Sequence, residues 1–189
     1  IYDFGINSAG IPKLRIKGEA GQKVVLQMCE HMEKDGSLCL YNISFQPYGL
    51  YQRMVYILKG GEEEIHLPSF TYYGFRYCFV SGITEEQATP SLLEYHLMSS
   101  NVSRISDFSC SDETANKLFE MTLNSDLSNF YYFLTDCPHR EKNGWTGDIA
   151  ASAEQMLLSF DAAESFKLWM KSLRYAQKPS GMLPGIVPT

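Results

Sequence analysis

Hydrophobic and polar positions alternate with a period of two through much of the first hundred residues. In residues 13–17, Leu14 and Ile16 share one face while Lys13, Arg15 and Lys17 share the other. Residues 24–28 form a short apolar run after Gly21, and residues 53–58 and 72–80 are rich in aromatic and β-branched side chains. Such segments suit half-buried strands, because successive side chains point to opposite faces and branched or flat groups pack well on a pleated surface. Lys17-Gly18, Asp35-Gly36, Lys59-Gly60-Gly61 and Ser81-Gly82 break the runs at turn-like intervals. Short strands punctuated in this way predict an antiparallel β-sandwich.

The period changes near Asp107. Ser111 is placed to cap a helix, with Asp112 and Glu113 in the first turn, where the helix dipole favours carboxylates. Ala115, Leu118, Phe119, Thr122, Leu123, Asp126 and Leu127 then recur with helical spacing along one mostly apolar face. A second helical stretch over 149–160 turns Ala150, Ala153, Met156, Leu157 and Phe160 inward. Asp161-Ala162-Ala163-Glu164, a variant of the capping box, opens a third helix whose apolar side is Phe166, Trp169, Met170 and Leu173. The expected fold is therefore α+β and multidomain: a β-sandwich over 1–105, and helices over 106–189.

Composition removes several function classes. The net charge is −6 and no cluster of Lys and Arg appears, so nucleic acid is not an expected partner. No apolar run is long enough to cross a bilayer, and no membrane partner is expected. Five cysteines, an odd number with no C-x-x-C pair, argue against a disulfide framework and against zinc. No cofactor is implied. The chain opens without Met or a signal-like segment and stops after a helix and a Pro/Gly-rich turn, so it reads as an internal piece of a longer protein.

The densest chemistry lies in residues 135–148. Asp136, Glu141 and Asp148 stand there with His139, Arg140, Lys142 and Trp145. Pro138 stiffens the segment, while Gly144 and Gly147 allow tight turns. Carboxylates and guanidinium groups bind hydroxyl pairs, and an indole offers a flat apolar face to the C–H side of a sugar ring. Taken singly, Asp136 before Cys137-Pro138 reads as a turn residue, Asp148 as a helix N-cap and Glu141 as a solvated loop charge.

As a string, Asp136-Cys137-Pro138-x-Arg140-Glu141 followed by Gly144-Trp145-Thr146-Gly147-Asp148 resembles the signature of bacterial α-L-rhamnosidases. Asp3-Phe4-Gly5-x-Asn7-x-x-Gly10 and Phe70-Thr71-Tyr72-x-Gly74-Phe75-Arg76-Tyr77 resemble strands of that family's β-sandwich domain. Gln177-x-x-x-Gly181-x-x-Pro184 with Val187-Pro188 resembles a turn of its helical domain. Together these strings span nearly the whole chain.

The resemblance implies a β-sandwich leading into an (α/α)6 barrel that hydrolyses terminal non-reducing α-L-rhamnose with inversion. The partner it implies is a rhamnose-containing glycan or glycoside. Position in the motif makes Glu141 the catalytic general acid, and Asp136, Arg140, Trp145 and Asp148 substrate-binding residues. His139 stands where the family more often has Gln; a neutral imidazole exchanges similar hydrogen bonds, so tuned specificity is expected.

Twelve barrel helices need at least about 200 residues, and the residues from Ser109 onward suffice for about three helices. The general base, a Glu from later in the barrel, has no match here, so the chain alone is expected to be inactive. Phe166, Trp169, Met170 and Leu173 are then expected to face absent helices and to drive self-association through the helical end. Two other readings stay open: a non-catalytic carbohydrate-binding β-sandwich module, and another inverting (α/α)-barrel glycosidase. A periplasmic, secreted or cytoplasmic bacterial location is equally compatible with the sequence.

Overall fold

The computed structural model describes residues 1–44 and 52–188. They divide into two compact units, Ile1–Met98 and Ser99–Thr189.

The first unit is built on one long strand, β1 (Tyr2–Ile16). With β2 (Lys23–Cys29), β3 (Arg53–Ile57), β4 (Glu64–His66), β5 (Tyr73–Ser81) and β6 (Leu93–Leu97) it forms a curled six-stranded antiparallel sheet in the order β3-β2-β5-β1-β4. Gly10 pairs with both Tyr73 of β5 and Leu97 of β6, and Leu14 with both His66 of β4 and Leu93 of β6. So β5 and β4 follow one another along one edge of β1, with β6 on the other. Over the described residues the expected sandwich takes the form of this single curled sheet. Its buried side is filled by Leu14, Val24, Leu26, Met28 and Phe75, all fully buried. Removing such side chains from water is worth roughly 1.5–3 kcal/mol each.

Two of the family-like strings meet across the sheet. The Arg76 Nε and Nη2 donate to the two carboxylate oxygens of Asp3 at 2.7 and 2.8 Å, and Phe4 meets Phe75 edge-to-face at 5.7 Å. Between Asp3 and Ser8 the register shifts, and Gly5 there has φ +81°, a left-handed conformation that a side chain would strain. The Gly5 N–H donates to Asp3 Oδ1 at 2.8 Å. Hydrogen bonds from Arg76 and then from Gly5 hold the Asp3 carboxyl down at about 2. Pairings β4 and β6 were not expected; three residues, or a mix of Glu, Tyr and His, give too little alternation to read. His66 and His96 lie in β4 and β6, while His31 lies outside any strand.

The second unit contains α1 (Glu113–Asn129), a short hairpin of β7 (Phe130–Tyr131) and β8 (Phe133–Leu134), then α2 (Thr146–Ser159) and α3 (Ala163–Ala176). The hairpin falls just before the 135–148 segment, in residues to which the sequence pattern assigned no element. Tyr132 turns it with φ 75°, and its N–H donates to Ser100 Oγ at 2.7 Å. Ser100 N–H in turn donates to the Phe130 carbonyl, Ile105 N–H to the Ser159 carbonyl, and Arg104 bridges to Phe160. These bonds bind residues 99–105 to the helical unit, so the division falls at Met98/Ser99 and not after residue 105.

The helix starts differ from expectation. Asp112 rather than Ser111 caps α1, its Oδ1 accepting from Thr114 N at 2.8 Å and Ala115 N at 3.4 Å; the chain enters its first turn one residue later. α3 starts from Ala162 without a side-chain cap, so the Asp161 capping box does not form. The faces differ as well. Leu118 and Thr122 of α1 and Ala150 and Leu157 of α2 are exposed, whereas Ile149 is buried. Phe166 and Trp169 pack against the unit's own core of Leu123, Phe130, Leu134, Ile149 and Met156, and Leu173 is buried, leaving Met170 as the exposed member of that expected stripe. The reason is the C-terminal turn: it folds back so that the Trp169 indole donates to the Val187 carbonyl at 2.8 Å.

All five cysteines are free. Among the described residues no helix is long and apolar enough to cross a membrane.

Candidate functional site

The segment after β8 is an ordered loop closed by its own backbone. Asp136 N–H donates to the Asn143 carbonyl at 3.0 Å, and Asn143 N–H returns to Asp136 Oδ1 at 2.9 Å. The Cys137 thiol donates to Asp136 Oδ2 at 3.1 Å and accepts from the Glu141 N–H at 3.4 Å. Burial, and then the neighbouring Asp136 carboxylate, push that thiol up, which keeps it protonated as a donor. Pro138 is buried in the turn, and Lys142 takes φ 56° at its end. Burial also lowers the Lys142 ammonium from its usual value.

Gly144 locks the loop to the C-terminal turn. Its carbonyl accepts from Val187 N–H at 2.8 Å, and a Cβ at Gly144 would lie 2.2 Å from the Val187 carbonyl oxygen, so no other residue fits unmoved. Trp145 pairs with Ile186 in an isolated bridge, and Thr146 N–H donates to the Gly185 carbonyl at 2.9 Å. The turn carrying Pro184 and Val187 thus buttresses the 135–148 loop, which explains why the two family-like strings occur together.

The five predicted site residues fall into two neighbouring groups. In the first, the Trp145 indole N–H donates to Glu141 Oε2 at 3.0 Å, while Arg140 Nε stands 3.9 Å from Glu141 Oε1. The carboxyl is a quarter exposed and the indole 39% exposed, so both reach solvent from a fixed position. In the second group, Asp136 and Asp148 line one pocket of about 200 Å³. Asp148 sits not in the loop but in the first turn of α2, whose N-cap is Trp145. His139 is partly buried beside them in sequence. Among the described residues no group of three His, Cys, Asp or Glu could hold a metal ion.

One pocket residue escaped sequence reasoning as a site candidate. Asp126 of α1, 6% exposed, lines the same pocket as Asp136 and Asp148. Its Oδ2 is shut off from solvent with no hydrogen-bond partner. Burial pushes its carboxyl up to about 6, offset in part by a hydrogen bond from the Gln155 side chain. The signal was present: a carboxylate stands one turn after the buried Leu123, next to Leu127, which packs against the core.

A small pocket rimmed by carboxylates, next to an indole-bound carboxyl, has the chemistry for a polyhydroxylated ligand and for proton transfer beside it. Comparison with known proteins is more specific. Residues 1–98 match the bacterial alpha-L-rhamnosidase concanavalin-like domain, and residues 103–189 the bacterial alpha-L-rhamnosidase 6 hairpin glycosidase domain. The chain belongs to the bacterial alpha-L-rhamnosidase family. An alpha-L-rhamnosidase of Streptomyces avermitilis is 31% identical over 189 residues, covering 100% of this chain and 18% of the relative. One from Formosa agariphila is 30% identical over 181 residues, covering 95% of this chain and 19% of the relative. The crystal structure of the Streptomyces avermitilis enzyme complexed with L-rhamnose superposes with a TM-score of 0.90 at 30% identity, covering 99% of this chain and 18% of that one. The alpha-L-rhamnosidase from Dictyoglumus thermophilum gives 0.89 at 33%, covering 99% and 21%. The chain spans about a fifth of the length of the curated relatives it matches.

Proposed function

We propose that this chain supplies the acid half of an inverting glycosidase that removes terminal α-L-rhamnose. The observation that carries the reading is the placement of Glu141. Its carboxyl is held by the Trp145 indole at one oxygen and faces Arg140 at the other, beside the pocket of Asp136 and Asp148, within a chain whose two units both match rhamnosidase domains.

The reaction divides between two carboxyls. Glu141, protonated, gives its proton to the glycosidic oxygen as the bond to the anomeric carbon breaks. A carboxylate supplied by chain outside these residues takes a proton from water, which attacks the opposite face and inverts the centre. Asp136 and Asp148 accept from ring hydroxyls and fix the sugar, Trp145 covers an apolar side of the ring, and Arg140 binds hydroxyl oxygens. Without the base, the chain alone binds the sugar at most and does not turn it over.

A panel of aryl glycosides tests this with the full-length protein. Cleavage confined to the α-L-rhamnoside, with β-L-rhamnose as the first product seen by NMR, is expected. Cleavage of another sugar, or an α first product, contradicts it.

A further inference from the structure

We propose that Trp145 is a positioning residue for the general acid: its indole N–H holds Glu141 Oε2, so that the proton reaches the glycosidic oxygen from Oε1. The inference rests on the sugar-hydrolase reading above. It adds to that reading the atom that gives the proton and the side chain that selects it.

The carboxyl is met differently at its two oxygens. Trp145 Nε1 donates to Oε2 at 3.0 Å, whereas Arg140 Nε stands 3.9 Å from Oε1, beyond hydrogen-bond reach. An indole N–H only donates, and a protonated carboxyl offers one carbonyl oxygen and one O–H. The carbonyl oxygen is therefore the one turned to Trp145, and the proton sits on Oε1. As the proton leaves, Oε2 shares the negative charge that develops. A hydrogen bond to a charged acceptor is roughly twice as strong as one to a neutral acceptor. The indole thus holds the carboxyl harder in the transition state than in the ground state, which is the condition for raising the rate.

Both ends of this bond are anchored. Trp145 pairs with Ile186, and Thr146 N–H donates to the Gly185 carbonyl at 2.9 Å. A Cβ at Gly185 would lie 3.7 Å from Trp145 Cζ3, so the turn packs against the benzene edge of the indole. The Glu141 N–H is tied to Cys137 Sγ at 3.4 Å. A platform for the sugar ring needs only a flat apolar face, which Phe offers as well. The aimed N–H is what that role leaves unexplained.

Two replacements in the full-length protein test the assignment. Trp145→Phe keeps a flat face without the N–H, and benzothienylalanine at the same position keeps both rings and puts sulfur in place of the N–H. They share the lost donor and differ in ring area, so the loss common to both reports the hydrogen bond and not the packing. Each is assayed on aryl α-L-rhamnosides of graded leaving-group acidity, alone and combined with Glu141→Gln. On the poorest leaving groups kcat should fall roughly three- to thirtyfold. In the benzothienylalanine protein the most acidic phenols, KM and L-rhamnose affinity should change little. With Glu141→Gln there is no proton to place, and neither replacement should lower kcat further. No loss in the benzothienylalanine protein overturns the proposal. So does an equal loss across the series, or an undiminished loss in the Glu141→Gln background, since either marks a sugar platform alone. If the unaltered protein cleaves no rhamnoside, or Glu141→Gln lowers all leaving groups equally, the sugar-hydrolase reading falls instead, and this inference with it.

Discussion

Replacing Asp126 with Asn gives a pH-dependent stability change whose sign and window follow from the structure. The folded chain holds the Asp126 proton more tightly than the unfolded chain does, because burial raises the carboxyl from 3.8 to about 6. Below pH ~4 both states carry the proton and Asp126 costs nothing. As pH rises from about 4 to about 6 the unfolded chain releases the proton first, so stability falls across that window and stays lowered above it. Two pKa units at about 1.36 kcal/mol each make the loss roughly 3 kcal/mol. Asn cannot ionise and keeps the shape, so the variant escapes the loss. Thermal unfolding of the two proteins in parallel, from pH 4 to pH 8, measures the difference directly. The midpoints should nearly coincide at pH 4 and separate to a plateau above pH 6. There the variant should unfold several degrees higher, at about 2–4 °C per kcal/mol for a domain of 150–250 residues. A constant gap at all pH values, or a less stable variant at pH 7, refutes the burial argument.

Gly144→Ala forces a Cβ to within 2.2 Å of the Val187 carbonyl, where neither backbone can yield cheaply. Overpacking of this kind costs about 1–3 kcal/mol, so a lowered unfolding midpoint and reduced activity should appear together in the full-length protein. The isolated chain exposes Leu118, Met121, Leu157, Leu158, Leu168 and Met170 on its three helices, and light scattering should show association; a stable monomer refutes this.

Strands with clear alternation were legible before the structure: residues 13–17, 24–28, 53–58 and 72–80 all fall in or against β1, β2, β3 and β5. β4 and β6 were not, because their place depends on the edges that β1 offers and not on their own pattern. The three helices were legible from their period, but their buried faces were not. Periodicity defines a stripe without saying which neighbour covers it, so Leu118 and Leu157 were assigned inward and Trp169 outward. The family-like string located the 135–148 loop, yet it could not reveal that the loop is braced by Val187 or that Asp126 lines the pocket of Asp136 and Asp148. Both depend on long-range return of the chain, which leaves no local signature.

The central claim, that Glu141 gives a proton to the departing oxygen, is tested most directly by Glu141→Gln in the full-length protein. The amide keeps an acceptor for the Trp145 indole N–H but has no acidic proton to give. Across aryl α-L-rhamnosides of graded leaving-group acidity, activity should fall about 10²–10⁴-fold for the poorest leaving groups. For the most acidic phenols, which depart with little help, it should fall far less, while L-rhamnose binding is retained. An equal loss across the whole series would contradict the account and move the acid role to another carboxyl.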